Sequence, residues 1–194
     1  SNNDLPGGSS SEGAGLAVVT LASAGCTTTS DMGGDPAAQR KALDASADSA
    51  LSRLNAQQRG SKELVNSARG VLVFPSVVSA GFIVGAASGQ GVLRKGGKTA
   101  GYFRMSEGSV GLLAGAQSQA VFILFMTDGA LSRFESSGGW TAGVDASVSM
   151  ITVGANAEVT TQTAQQEVIG FVLTNAGLMG SVSLNGSRIT RLDI

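Results

Sequence analysis

AGFIVGAASGQGVL, residues 80–93, decides how the rest of the chain is read. Its odd positions are Gly81, Ile83, Gly85, Ala87, Gly89 and Gly91, while the even ones include Phe82, Val84 and Val92. A period of two belongs to a strand. One face of this strand is nearly bare, which lets another backbone or a sharp bend approach it. Outward from it the strand period runs through VLVF (71–74), GYFRM (101–105), GSVGLLAGAQSQAVFILFM (108–126), GVDASVSMITVGANAEV (143–159), EVIGFVLT (167–174) and LMGSVSLNGSRITRL (178–192). The last holds Asn185-Gly186, a two-residue hairpin signal. Residues 70–93 and 108–127 carry no charge and are long enough to span a bilayer. Pro75, the glycines and several Ser and Gln residues nevertheless divide both into strand-length pieces, so buried strands are the better account. The pairs Gly81/Gly85 and Gly111/Gly115 would mean helix dimerisation only inside an apolar helix, so in strands they carry no such meaning.

Upstream the period changes. Asp35 is suited to an N-cap and Pro36 to the first helical turn. Leu43, Ala47, Ala50, Leu51 and Leu54 then form one narrow apolar stripe, with Arg40, Lys41, Asp44, Asp48 and Arg53 mostly off it. The stripe is alanine-rich and has no aromatic residue, which favours a helix packed on the domain over one lying on a membrane. A short helix is expected from Lys62 to Ala68, started by Ser61. These elements predict an α+β fold: a compact, strongly coiled, antiparallel β-rich, barrel-like domain with one or two N-terminal helices packed on it. Residues 36–194 make that domain, helical over 36–69 and β-rich over 70–194, and residues 1–35 lie outside it. With 42% apolar and 14% charged residues the chain has a core to bury, and its 28 glycines follow no three-residue period, so it is neither disordered nor collagen-like.

Much enzymology is excluded by what the sequence lacks. It has no histidine and one cysteine, which removes the usual general base, the commonest metal ligand and an internal disulfide. GVLRKGGKT (91–99) has five residues, where a P-loop has four, between its first Gly and the Gly-Lys-Thr, so its amides would not nest a phosphate in the P-loop manner. Gly89-Gln90-Gly91 fails as a dinucleotide fingerprint because Arg94 stands in the third glycine's place. The serines have neither a histidine nor a lysine at nucleophile spacing. Asp145 and Glu158 have no positive support as a carboxylate pair, and Asp128 reads more simply as the N-cap of ALSRF (130–134). The expectation is a non-enzyme with no cofactor and no metal.

The charge is unevenly distributed. Ten of the thirteen basic residues fall between 36 and 104, namely Arg40, Lys41, Arg53, Arg59, Lys62, Arg69, Arg94, Lys95, Lys98 and Arg104, against the acids Asp44, Asp48 and Glu63. A surface carrying them would attract phosphate, and all ten are candidate contacts. Arg94, Lys95 and Lys98 form a glycine-flanked basic turn that reads either as a solvated hairpin or as a phosphate site. GLAVVTLASAGC (15–26) is an apolar run that closes on small residues and Cys26, as the end of a lipoprotein signal peptide does, making Cys26 the candidate lipidation site. Ser23 stands where an aliphatic residue is usual, and residues 1–14 contain no Lys or Arg, so they are set aside as an added or truncated leader.

SARGVLVFP (67–75), AGFIVGAASGQGVL (80–93), GSVGLLAGAQSQAVFILFM (108–126), ALSRF (130–134), GVDASVSM (143–150) and FVLTNAGLMGSVSLNGSRI (171–189) together resemble the SYLF family. Several glycine-spaced blocks in the right order carry the resemblance, from about Ser61 to Asp193. It implies a compact β-rich fold with flanking helices, phospholipid binding and, for some members, actin binding, with no catalytic residues to carry over. The resulting expectation is a lipid-anchored, periplasm-facing envelope protein, with the outer membrane favoured over the inner by Thr27 after Cys26. Its basic surface would meet anionic phospholipid. A non-catalytic assembly module pairing with another envelope protein is the alternative, and nucleic acid and actin are not expected as partners.

Overall fold

Residues 35–58, 60–80, 86–108, 118–151, 166–174, 177–178 and 183–194 are described by a computed structural model, within a compact unit from Gly34 to Ile194. Helix α1 spans Pro36–Gln57, and Asp35 caps it as expected, its carboxylate accepting from the Ala37 amide at 3.2 Å. Helix α2 spans Ser61–Ser67. Gly60, in the left-handed region at φ 85°, occupies its N-cap position. Ser61 is therefore the first helical residue rather than the cap, and its buried hydroxyl donates toward the carbonyls of Gln58 (2.8 Å) and Leu54 (3.2 Å). Helix α3 spans Asp128–Ser136 and is capped by Thr127, whose Oγ1 accepts from the Ala130 amide at 3.1 Å. Asp128 belongs to its first turn, which corrects the expected cap by one residue.

The strands are β1 (Gly70–Ala80), β2 (Ala86–Lys95), β3 (Lys98–Gly108), β4 (Ser118–Phe125), β5 (Trp140–Thr141), β6 (Ser149–Met150), β7 (Val168–Thr174), β8 (Gly177–Leu178) and β9 (Arg188–Leu192). They form one nine-stranded sheet in the order β5-β9-β3-β2-β1-β4-β7-β6, with β8 beside β7. The order itself requires curvature. Laid flat, the path from β5 to β6 crosses seven strand spacings, roughly 34 Å. The chain from Thr141 to Ser149 reaches at most about 29 Å when fully extended, and much of it is folded into a turn, with the Gly143 amide on the Ala146 carbonyl at 2.8 Å. The two ends are thus drawn round toward each other, giving a half-barrel. The same turn departs from the sequence-based expectation in two ways. Residues 143–148 are not strand, and the sheet is mixed, because β6 runs parallel to β7.

The long apolar runs arise because the sheet is covered on both faces. Leu72, Phe74, Leu93, Phe103, Val121, Ile123 and Phe125 point to one face, where α3 packs. Phe134 of α3 lies 4.9 Å from the Phe103 ring, 4.7 Å from Phe125 and 5.7 Å from Trp140, centroid to centroid. Val71, Val73, Val92, Phe122, Leu124 and Phe171 point to the other face, against Ala47, Ala50 and Leu54 of α1 and Leu64 of α2. Leu43 and Leu51 flank that seam, so the apolar stripe read from the sequence is the face that packs. Among the described residues no helix is long and apolar enough to cross a membrane, and the uncharged stretch from Gly70 to Ala80 is strand.

The bare face of 80–93 meets the close neighbour it calls for. A Cβ added at Gly91 would stand 2.5 Å from the Val73 carbonyl oxygen and 2.5 Å from Phe74 Cδ1, and one at Gly89 would stand 2.8 Å from the Ser76 carbonyl oxygen. Opposite these glycines β1 loses register with both neighbours, between Val73 and Val78 on the β2 side and between Phe74 and Val77 on the β4 side. Pro75 sits in that bulge, where its missing N–H breaks no ladder bond. Residues 81–85 and 109–117, with both G-x-x-x-G pairs, lie outside the described residues. So does most of the arm preceding Asn185-Gly186. The turn is present, with the Ser187 amide on the Leu184 carbonyl at 3.0 Å. It does not make the expected hairpin, because Arg188 and Ile189 of β9 are already paired to β3 on one side and β5 on the other.

Candidate functional site

The basic turn is a tight hairpin. Lys95 and Lys98 are paired, and between them Gly96 (φ 59°) and Gly97 (φ 81°) supply the two positive dihedrals that a type I′ turn needs. Its three cations have three different fates. Arg94 is turned inward, its side chain 13% exposed, and its guanidinium donates to Asp48 Oδ1 at 2.7 Å and to the Asp44 carbonyl at 3.1 Å. Lys95 pairs with Glu135 of α3 at 2.9 Å. Lys98 is exposed and has no acidic partner among the described residues. A solvated hairpin and a phosphate site both need exposed cations, which Lys98 is and Arg94 is not, because α1 places two carboxylates over β2.

Asp44 is the centre of that junction. It accepts from Thr99 Oγ1 at 2.7 Å and from the Tyr102 hydroxyl at 2.9 Å, and it lies 3.6 Å from Arg94. Partial burial pushes the Tyr102 phenol above its ordinary pKa of 10.0, and the hydrogen bond to Asp44 and that residue's charge push it the same way, against Arg40 and Arg94. Arg94 of β2 and Thr99 and Tyr102 of β3 thus position α1 on the sheet through polar contacts, complementing its alanine seam.

The remaining candidates divide cleanly. Arg69 lies 3.7 Å from Asp128 with both side chains exposed, an arrangement worth little in water. Arg40, Lys41 and Arg53 on α1, Lys62 on α2 and Arg104 on β3 have no ion-pair partner among the described residues; Arg40 is half-buried and the others are exposed. Arg59 and Cys26 lie outside the described residues. Two further cations, Arg188 and Arg191, lie outside the basic segment 36–104 and are not among the ten candidates. Strand β9 runs beside β3 and pairs Arg104 with Thr190 and Ser106 with Arg188, so Arg188 joins Arg104 on one face. Arg191 stacks over the Phe103 ring, 5.3 Å from its centroid. Nothing in the local sequence signals this, since it depends on which strands become neighbours.

The acids have structural uses. Asp145 Oδ2 accepts from the Thr141 amide and its own amide bonds the Thr141 carbonyl at 2.9 Å, closing the turn after β5. Glu158 lies outside the described residues. Among the described residues no group of three or more His, Cys, Asp or Glu is placed to hold a metal ion.

This half-barrel, with helices on both faces and an uneven set of surface cations, is matched over residues 106–193 by the family model described as Ysc84, Las17-binding protein actin regulator. That segment runs from the end of β3 to the end of the chain's β structure. The match is consistent with the SYLF-family resemblance read from the glycine-spaced blocks. The matched part is under half of the chain and leaves out α1, α2, β1 and β2. No curated protein matches the chain.

Proposed function

We propose that this protein binds anionic phospholipid headgroups without catalysis, as a periplasm-facing envelope lipoprotein anchored through Cys26. The partial match to a family of lipid- and actin-binding modules supports a membrane partner. The observation that carries the finer reading is the set of cations without an acidic partner among the described residues, Arg40, Lys41, Arg53, Lys62, Lys98 and Arg104, contributed by α1, α2 and β3. Each free cation near an anionic surface contributes about 1 kcal/mol, screened within a Debye length of roughly 10 Å at 0.1 M salt. One acyl chain gives only marginal anchorage and several chains or a basic patch make it firm, so anchor and basic surface would act together.

Flotation of the unlipidated chain with vesicles tests the surface. Recruitment to phosphatidylglycerol or phosphatidylserine vesicles, lost with added salt and absent for phosphatidylcholine, is the expected result. Failure of every anionic vesicle to recruit it at low salt would overturn the proposal. The anchor is tested separately by metabolic labelling with a fatty acid, where equal label in native protein and Cys26→Ala would remove it.

A further inference from the structure

The bulge at Pro75 leaves a groove beside α1. Its two adjoining hollows, about 330 and 290 Å³, share Ser46, Pro75 and Ser76. Ser49 and Arg53 line one end and Gln90 the other. Directly across from Gln90, on the same face of the sheet, stands Arg104. Ser46, Ser49, Gln90, Arg53 and Arg104 are all exposed and make no hydrogen bond or ion pair among the described residues, while Ser76 Oγ lies 2.7 Å from Ser118 Oγ. The groove thus offers hydroxyls and a carboxamide, with the free Arg53 at one end and Arg104 beside Gln90 beyond the other, which is more specific than a diffuse positive surface.

We propose that this groove selects a phosphoglycerol headgroup, with Arg53 or Arg104 engaging the phosphate at one end and Ser46, Ser49 and Gln90 the glycerol hydroxyls. The inference rests on the lipid-binding reading above and names its site. Guanidinium forks match phosphate oxygens, and hydroxyl and amide side chains both donate to and accept from a diol. The hollows fall at the lower end of small-ligand sites, roughly 300–1,000 Å³, which suits a headgroup and not its acyl chains. Phosphatidylserine has the same net charge but carries an ammonium and a carboxylate where phosphatidylglycerol has its diol, so it cannot make the same hydrogen bonds to Ser46, Ser49 and Gln90. Charge alone would treat the two lipids alike; this groove does not.

The test uses the full chain and vesicles of phosphatidylglycerol or phosphatidylserine, at equal mole fraction in phosphatidylcholine. Phosphatidylglycerol should recruit it about tenfold more tightly, the ratio that one or two hydrogen bonds supply. The double variant Ser46→Ala/Ser49→Ala should lose that preference and keep its phosphatidylserine binding. Both serines are exposed on a helix where alanine is the better helix former, so the variant stays folded. Arg53→Gln/Arg104→Gln should weaken phosphatidylglycerol binding more than Lys41→Gln/Lys62→Gln, which removes equal charge elsewhere. Equal recruitment by the two anionic lipids, unaffected by the serine pair, would overturn the groove and leave the proposed function standing. Recruitment by neither overturns the proposed function itself. Calorimetric binding of sn-glycerol 3-phosphate without any vesicle preference would overturn the membrane as the source of the headgroup.

Discussion

Replacing Asp44 by Ala tests whether α1 is held on the sheet by its polar junction. The change deletes the acceptor for Thr99 Oγ1 at 2.7 Å and for the Tyr102 hydroxyl at 2.9 Å, and a contact to Arg94 at 3.6 Å. A hydrogen bond to a charged group contributes about 1.5–3 kcal/mol when buried. The Asp44 side chain is 34% exposed, so about 1 kcal/mol for each of the two bonds is the appropriate scale, with a few tenths for the longer ion pair. Alanine returns about 0.5 kcal/mol as the better helix former. The net loss is about 2 kcal/mol, or a fall in Tm of roughly 4–8 °C for a domain of this size. Urea unfolding followed by tryptophan fluorescence reads it through the buried Trp140. Asp48→Ala is the control: Asp48 is 66% exposed and makes one bond to Arg94, so its loss should stay near 0.5 kcal/mol. An Asp44→Ala protein within 0.5 kcal/mol of the native one would refute the junction and leave the alanine seam as the sole attachment of α1.

Gly91→Ala should destabilise by about 2 kcal/mol or more in the same urea assay, because the new methyl meets the Val73 carbonyl oxygen at 2.5 Å; Gly138→Ala, with nothing within 4 Å, should be neutral within about 0.5 kcal/mol. Phe134→Ala removes the ring that touches Phe103, Phe125 and Trp140 and should cost about 3–5 kcal/mol, measured by calorimetry. The raised Tyr102 pKa means that the folded state holds the phenolic proton longer than the unfolded state. Its contribution is therefore complete below pH 10.0 and lost as pH rises through the folded value. Ultraviolet titration of the phenol should place its midpoint above 10.0 in native protein and lower in Asp44→Ala, since burial is then joined by neither the hydrogen bond nor the negative charge of Asp44.

Local signals predicted local structure well. The stripe from Leu43 to Leu54 packs as read because helix period fixes which side chains share a face. The glycines of 80–93 announced a close approach, and Gly91 has one. Failures began where a partner far along the chain decides the outcome. Asn185-Gly186 makes its turn, yet the strand after it is already paired on both sides by β3 and β5. GVDASVSM alternates like a strand, but Asp145 bonds the Thr141 backbone and closes a turn first. Among the candidate contacts, Lys98 and Arg104 lie exposed as a basic surface requires, whereas Arg94 is taken up by carboxylates on α1, 46 and 50 residues away in sequence. Composition reveals how many charges a segment has and not which of them are neutralised.

An incomplete barrel exposes peptide groups that could recruit further strands and seed aggregation. Among the described residues the terminal strands of the path, β5 and β6, are two residues long apiece, and β8 covers another part of the outer side of β7. Beyond β5, the remaining length of β9 carries Arg191, a charge of the kind that discourages stacking of neighbouring chains. A molecule concentrated on a crowded two-dimensional surface meets its own copies far more often than one in dilute solution. Among the described residues, a border two residues long at β5 followed by the charge of Arg191 gives such copies little to zip onto.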